Sequence, residues 1–381
     1  MNDILVKLQK MFEPKATIGV DMGRRNIKTL SLKKQGDKVL LENLFMLDLA
    51  ESNESFPEVA NAPEKLKAAI EVHGLRDNKV SVSMNDDSID SFLINIPEMP
   101  ESEIYSVVEN ALEARIPYPV EDASYDFTIL ERSPQDKDNL MTVKVFFALK
   151  KNVDTLLDQV EQARLKPVSL DINSLAIATM LEFNGYTEKG HNFILVDLGE
   201  SQTTTSLIMD HDVVFLRSVP FAYGSINQSL REYLDFNYAE AEKIKQRLNA
   251  MGAEEANVEE QIHINSLEDA QETVDYVVAQ HDAQKIADQN YIHILDSVQE
   301  TIDYYLAQSN EAPITGIYLT GGGANQEVKE VFENHYGVEA TIVNPFRRVE
   351  LYNGGQDTQN IDQYSPFMAT AMGLALRGIK W

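Results

Sequence analysis

The sequence predicts an α/β protein of two similar domains, the first carrying a small inserted unit. Three observations lead there. An apolar, strand-like run ending in Asp-x-Gly occurs twice, Thr17–Asp21 followed by Met22-Gly23 and Phe193–Asp197 followed by Leu198-Gly199. The two aspartates, Asp21 and Asp197, stand 176 residues apart, a repeat suited to paired domains around a cleft rather than to a solenoid. A third glycine cluster, Thr320-Gly321-Gly322-Gly323-Ala324, lies between the buried-strand run Ile317-Tyr318-Leu319 and a helical pattern over Asn325–Asn334. The length of 381 residues allows two or three domains with a substantial core.

Taken in chain order, Leu5, Leu8, Met11 and Phe12 fall at helical spacing, as a capping helix or an interfacial anchor would. Ile27–Leu32 completes a first hairpin with Thr17–Asp21. Val80–Ser83 and Phe92–Ile96 read as strands. Pro100-Glu101-Ser102-Glu103 opens a helix reaching Ala114, with Ser102 or a neighbour as cap and acids in the first turn where the helix dipole favours them. Ile116-Pro117-Tyr118-Pro119 stops that helix, because a residue before proline is pushed out of helical conformation. Ala123–Leu130 and Thr142–Leu149 follow as strands around the polar loop Ser133–Asn139, and Asn152–Arg164 as a helix. This makes an αββα insert of about residues 97–166. Beyond it, Thr203–Met209 and Val213–Leu216 continue the second opening as a meander, turning at Asp210-His211-Asp212. The expected division is an N-terminal segment 1–14, a first domain 15–170 holding the insert, and a second domain 171–381.

Charge and composition exclude whole classes of function. Lys and Arg number 33 against 61 Asp and Glu, a formal net charge of −28. Nucleic-acid binding needs cations to replace the counterions of phosphate, and broad docking on anionic lipid needs a basic face; neither is expected. There is no cysteine, so disulfides, thiolate zinc sites and cysteine nucleophiles are out. No stretch of about 18 apolar residues occurs and residues 1–12 lack a signal-peptide pattern, so a soluble, cytoplasmic protein is expected. The acidity is concentrated. Between Gly252 and Asn310 fall thirteen Asp and Glu and one lysine, interleaved with apolar residues at helical rhythm. This segment is a solvated outer face or a docking surface for a basic partner.

The chemistry centres on the three glycine turns. Glycine lets the backbone approach a ligand closely, and successive N–H groups there can cradle a phosphate. Asp21 and Asp197 would meet phosphate through Mg²⁺ and its waters, since a bare carboxylate repels it. After Gly23 come Arg24, Arg25, Asn26 and Lys28; these cations either grip phosphate, arginine bidentately, or form surface ion pairs. Glu200 follows Gly199, and must point away, contact the metal or weaken the site. Ser201, Gln202, Thr203 and Thr204 are candidate donors to phosphate oxygens, Gln202 also a candidate to orient a water.

The order Asp21-x-Gly23, Asp197-x-Gly199, Gly321-Gly322-Gly323 resembles the actin, sugar-kinase and heat-shock-ATPase superfamily, with its two phosphate loops and its adenosine loop. Ala241-Glu242-Lys243-Ile244-Lys245 is similar to the helix flanking adenosine there, and Leu170–Met180 and Pro366–Leu376 fall where its connecting helices lie. The resemblance implies a two-domain actin-like ATPase fold with the αββα insert in the first domain, binding ATP or ADP with Mg²⁺. Together with the residues read above, it gives Asp21, Gly23, Arg24, Asn26, Lys28, Asp197, Gly199, Ser201, Gln202, Thr203, Glu242, Lys245, Gly321, Gly322, Gly323 and Asn325 as the candidate nucleotide site, with Asp21 and Asp197 holding Mg²⁺ through water. Arg24-Arg25-Asn26 departs from the Ser or Thr that often follows the first glycine in the superfamily.

Within the superfamily the chain most resembles the PilM family of type IV pilus assembly, through its hairpin opening, its insert with Glu113-Ala114-Arg115-Ile116-Pro117-Tyr118, and the helix around Glu300–Tyr305. That likeness implies a cytoplasmic ATP-binding adaptor with slow or absent turnover, capturing the N-terminal tail of the inner-membrane protein PilN and linking it to the pilus motor. It implies other pilus-assembly proteins as partners, a homo-oligomer as an open question, and the membrane reached only through a partner. The tail would lie between the insert and the first domain, against Phe92, Ile94, Ile96, Ile104, Val108 and Leu112. Two alternatives are an actin-like cell-division protein of the FtsA type, in which an amphipathic helix would be expected beyond Arg377–Trp381, and a sugar kinase, for which no catalytic base can be named.

Overall fold

The computed structural model describes residues 17–49, 61–132, 140–187, 190–209, 211–220, 222, 224–225, 228–229, 282, 285–286, 288–303, 314–352, 361–379 and 381. The expected N-terminal helix, the Ser133–Asn139 loop, Glu242 and Lys245, and most of the 252–310 stretch lie outside the described residues.

The first sheet begins with β1 (Ile18–Met22), β2 (Asn26–Gln35) and β3 (Lys38–Asp48), an antiparallel meander. β4 (Lys79–Met84) joins parallel to β1, and β8 (Lys166–Ile172) parallel to β4. The second sheet repeats this plan. β9 (Asn192–Leu198), β10 (Thr203–Met209) and β11 (Asp212–Val219) form its meander, and β12 (Gly316–Thr320) and β13 (Ala340–Ile342) add in parallel. The orders β3-β2-β1-β4-β8 and β11-β10-β9-β12-β13 are therefore equivalent, and a two-residue strand β14 (Glu350–Leu351) extends the first sheet's edge.

Two helices lie between the sheets: α4 (Asn173–Asn184) and, near the C-terminus, α7 (Ala369–Leu376). α7 is buried along its whole length, and α4 is buried on most of its surface, with Glu182 its exposed residue. Their residues share one core with Leu30, Leu32, Leu41 and Leu44 of the first sheet and Phe193, Leu195 and Ile208 of the second. Outer helices finish the layering. α1 (Ala62–Val72) and α3 (Lys150–Gln162) cover the far face of the first sheet through Leu66, Ile70 and Val160. On the second sheet, helix α5 over residues 288–303 and α6 (Gln326–Tyr336) do the same through Ile294, Val298, Val328 and Phe332. The acids of α5, Asp288, Asp296, Glu300 and Asp303, are exposed, so this part of the acidic stretch is an outer face.

The insert is a three-stranded sheet, β5 (Asp90–Pro97), β7 (Leu140–Leu149) and β6 (Ala123–Arg132), with α2 (Glu101–Glu113) on one face. It begins at Asp90 rather than near 97, because β5 pairs with β7 along its whole length. The closing helix α3 instead packs its apolar side beneath the first sheet. Ile104, Val108 and Leu112 recur at i, i+4 and i+8 on the buried stripe of α2 and meet Val143 and Val145. The opposite face of β7 docks on β11: Phe146 packs into the central core, and the buried Lys144 donates to the Val214 carbonyl at 2.9 Å between the rings of Phe146 and Phe215. Burial lowers the Lys144 pKa to about 8.

Three elements depart from the sequence reading. β3 was not anticipated, although the two-residue turn Gly36-Asp37, with Gly36 at φ +63°, is a hairpin signal. Residues Leu170–Ile172 belong to β8, and the helix expected from Leu170 starts at Asn173. α2 has Pro100 as N-cap with no side-chain cap, so Ser102 does not serve that role.

Close approach of the central helices depends on two glycines. A β-carbon on Gly373 would collide with the carbonyl of Ala176, and one on Gly19 with that of Ala371. Gly373→Ala is expected to cost about 3 kcal/mol or more of unfolding free energy in urea titrations. By contrast Gly337→Ala, at φ +66° with nothing within 4 Å, is expected to cost only about 1 kcal/mol.

Candidate functional site

The equivalent turns of the two sheets face each other across a cavity of about 360 Å³. The β1–β2 turn contributes Asp21, Gly23, Arg24, Arg25, Asn26 and Lys28; the β9–β10 turn contributes Asp197, Gly199, Glu200, Ser201 and Gln202. The strand-to-helix turn after β12 adds Thr320, Gly321, Gly322 and Gly323, and the segment before α7 adds Pro366, Phe367, Ala369 and Thr370. These loops converge because each follows the carboxyl end of a central strand, where sheets of this kind leave a crevice.

Local bonds hold the loops in place. The Gly199 N–H donates to the Gln202 carbonyl at 3.0 Å, closing the second turn. Gly321, at φ +88°, lies so close to Asp197 that a β-carbon would strike its carboxylate. Its N–H donates to the Pro366 carbonyl at 3.0 Å, while the Gly323 N–H donates to that of Leu198 at 2.9 Å. The third loop is thereby fastened to the second and to the segment leading into α7. At Gly322 the backbone lies against the Phe367 ring, 2.8 Å from where a β-carbon would sit.

The cavity's charges are paired. Lys28 Nζ lies 3.0 Å from Asp21 Oδ2, Arg24 is ion-paired with Asp87, and Arg25 reaches Asp48 at 3.5 Å and Glu200 at 3.4 Å. Glu200 thus points across the cleft to the first turn. Burial pushes the Asp197 carboxyl up to about 6; Lys28 opposes the rise and Asp21 adds to it. Gln202 Oε1 and Asn173 Oδ1 line the cavity, buried and without a hydrogen-bond partner; Thr203 Oγ1 is likewise buried and unpartnered, but Thr203, expected at the site, does not line the cavity.

Beneath the cleft floor lies a group that the motifs did not reveal. Asp86 is buried and accepts from Ser174 Oγ at 2.8 Å and Ser174 N–H at 3.3 Å; Ser206 Oγ donates onward to Ser174 at 2.9 Å. Burial raises the Asp86 pKa to about 7, with the Ser174 hydrogen bonds opposing and Asp197 adding. The sequence carried a signal: the polar run Asn85-Asp86-Asp87-Ser88 directly follows the buried strand β4 at its carboxyl end.

Some expected site residues fall elsewhere. Asn325 caps α6, its Oδ1 accepting from the Val328 N–H at 2.9 Å, and does not line the cavity. Of the six expected groove residues, Ile96, Ile104, Val108 and Leu112 are interior to the insert, so none of the four can form an open wall. Phe92 and Ile94 are half-buried on the same core, Phe92 beneath the Arg115 guanidinium at 4.7 Å. No described helix is long and apolar enough to cross a membrane.

Comparison with known proteins now bears on this geometry. The family model for "Type IV pilus assembly protein PilM" matches residues 19–289 and 290–379. The solved PilM-PilN type IV pilus biogenesis complex contains a chain 19% identical, with a TM-score of 0.77 over 97% of this chain and 100% of that one. The ethanolamine utilization protein EutJ from Carboxydothermus hydrogenoformans is 16% identical over 99% of this chain and 95% of its own, at a TM-score of 0.49. An MreB of Spiroplasma citri, bound to AMPPNP, is 14% identical over 92% of this chain and 94% of its own, at 0.47. No curated protein matches. The fold is the actin-like ATPase fold that the resemblance implied.

Raised carboxyl pKa values mean that the folded state binds more protons than the unfolded chain between about pH 4 and pH 7, so stability falls as pH rises through that window. Unfolding free energies from urea titrations should therefore be higher at pH 5 than at pH 8 by an amount on the order of a few kcal/mol. Asp86→Asn, which keeps an acceptor for Ser174, should flatten most of that slope. A slope unchanged in Asp86→Asn would mean that another group carries it.

Proposed function

We propose that this chain, which belongs to the family of type IV pilus assembly protein PilM, is a nucleotide-binding adaptor that captures the N-terminal tail of a PilN-type inner-membrane protein and links it to the pilus motor. The observation that carries the reading is the match of the family model from residue 19 to residue 379, which spans all three glycine turns of the cavity.

ATP or ADP would place its phosphates between the turns at Gly23 and Gly199, where the missing β-carbons let a ligand approach the backbone and the Ser201 hydroxyl lines the cavity. Its adenosine would lie toward Gly321–Gly323 and Phe367. The donors present suit Mg²⁺: Asp21 and Asp197 are hard carboxylate ligands, and the unpartnered Gln202 Oε1 is a third oxygen at the cavity. These residues would hold the ion through its waters, and bound there it would neutralise phosphate charge. Gln202 is the candidate to orient a water.

The adaptor role joins the cavity to a peptide. Among the described residues the two domains meet through α4, α7, the turns around the cleft and the contact of the insert with β11, so a ligand touching both turns would bias their relative orientation. The captured tail would sit at the insert, with Phe92 and Ile94 as its remaining candidate contacts, and membrane association would follow from that partner.

Calorimetric titration of Mg·ATP into the protein is expected to give a single site, weakened at least about tenfold in Asp197→Ala. Unchanged affinity in that variant would remove the second turn from the site. Binding of a PilN N-terminal peptide with negligible ATP turnover supports the adaptor. Fast turnover driven by a sugar, without peptide affinity, would replace it with a kinase.

A further inference from the structure

Among the described residues, every basic side chain lining the cavity is already engaged by a carboxylate: Lys28 by Asp21, Arg24 by Asp87, and Arg25 by Asp48 and Glu200 together. The Arg25–Glu200 pair differs from the others in joining the phosphate turn of one domain to that of the other. Both side chains are largely shielded, at 17% and 21% exposure. Their geometry is nonetheless slack. Contacts of 3.4 and 3.5 Å are well beyond the roughly 2.7–2.9 Å of a good charge-assisted hydrogen bond, because one guanidinium is stretched between two acids. A phosphate entering between the turns can offer Arg25 two oxygens for a short bidentate pair, in place of these long contacts.

We propose that Glu200 is a built-in anionic competitor, holding Arg25 until a polyphosphate displaces it, so that the cleft selects ligands by the length and charge of their phosphate chain. The inference rests on the nucleotide reading of the same cleft. Among the described residues, a ligand with one phosphate meets a lining of four acids, Asp21, Asp48, Asp197 and Glu200, against three cations, each already paired. A di- or triphosphate brings enough charge to take over Arg25 while the glycine turns hold its other oxygens. Release of Glu200 then frees the β9–β10 turn from the first domain, so that the interdomain tie passes from a side-chain pair to the ligand itself.

The test is a double-mutant cycle on the full chain, titrating ATP, AMP and inorganic tripolyphosphate in the presence of Mg²⁺ into wild type, Glu200→Gln, Arg25→Gln and the double variant, with melting curves showing that each is folded. Glu200→Gln is expected to bind ATP and tripolyphosphate about tenfold tighter, with AMP less affected, and Arg25→Gln about tenfold weaker. The double variant should bind no better than Arg25→Gln alone, because Glu200 acts through Arg25. Unchanged affinity in Glu200→Gln overturns the proposal and leaves nucleotide binding intact. A gain that persists without Arg25 also overturns it, since Glu200 would then act by direct repulsion. Failure of every probe to bind wild type and Glu200→Gln overturns the nucleotide reading along with it.

Discussion

The structure depends on one steric fact: two apolar helices must pass close enough to fill a single layer between two sheets. The crossing of α4 and α7 at Ala176 and Gly373 achieves this, and Gly19 admits α7 against β1. Larger residues at these points would spread the sheets apart. Because they are close, the carboxyl ends of β1, β9 and β12 come to a common level, and the turns that follow them share one cavity. The small residues of α7 are thus a condition for the site, although none of the crossing atoms faces a ligand.

The cavity built this way is electrostatically full before anything enters it. Its acids outnumber its bases, its bases are paired, and burial raises two nearby carboxyls toward neutrality. Such a lining does not attract anions by net charge. On the proposal above it would recognise them by exchange, one carboxylate giving way to a phosphate. The global charge of −28 and an anionic ligand are compatible on those terms.

The parts legible in the sequence are those whose chemistry is local. Asp-x-Gly after an apolar run marks a strand and its turn wherever the chain goes next, and so Asp21, Gly23, Asp197 and Gly199 were found with their elements. Asp86 was not, because its significance arises from Ser174 and Ser206, residues brought beneath it only by the packing of α4 between the sheets. The apolar stripe Ile104, Val108, Leu112 was read as a groove wall when it is the interior of the insert; periodicity shows that a face is buried without showing what buries it. Strand β3 was missed for a related reason. Its run Val39–Leu47 is not a clean alternation, since it is buried on both faces in places, and only the Gly36-Asp37 turn announced it.

The short turn Asp86–Ser88 has a mechanical consequence. It is held on one side by α4, through Ser174, and on another by the first phosphate turn, through Arg24 and Asp87. The chain then runs directly into β5, the strand from which the insert is built. The insert is therefore a lever whose fulcrum sits at the cleft. An eight-residue strand reaches about 26 Å, so a tilt of roughly 5° at the turn carries the far end of β5 through about 2 Å. Lys144, wedged against β11, is the stop on which that lever rests. Small motions beside the glycine turns would thus appear magnified at the far end of β5.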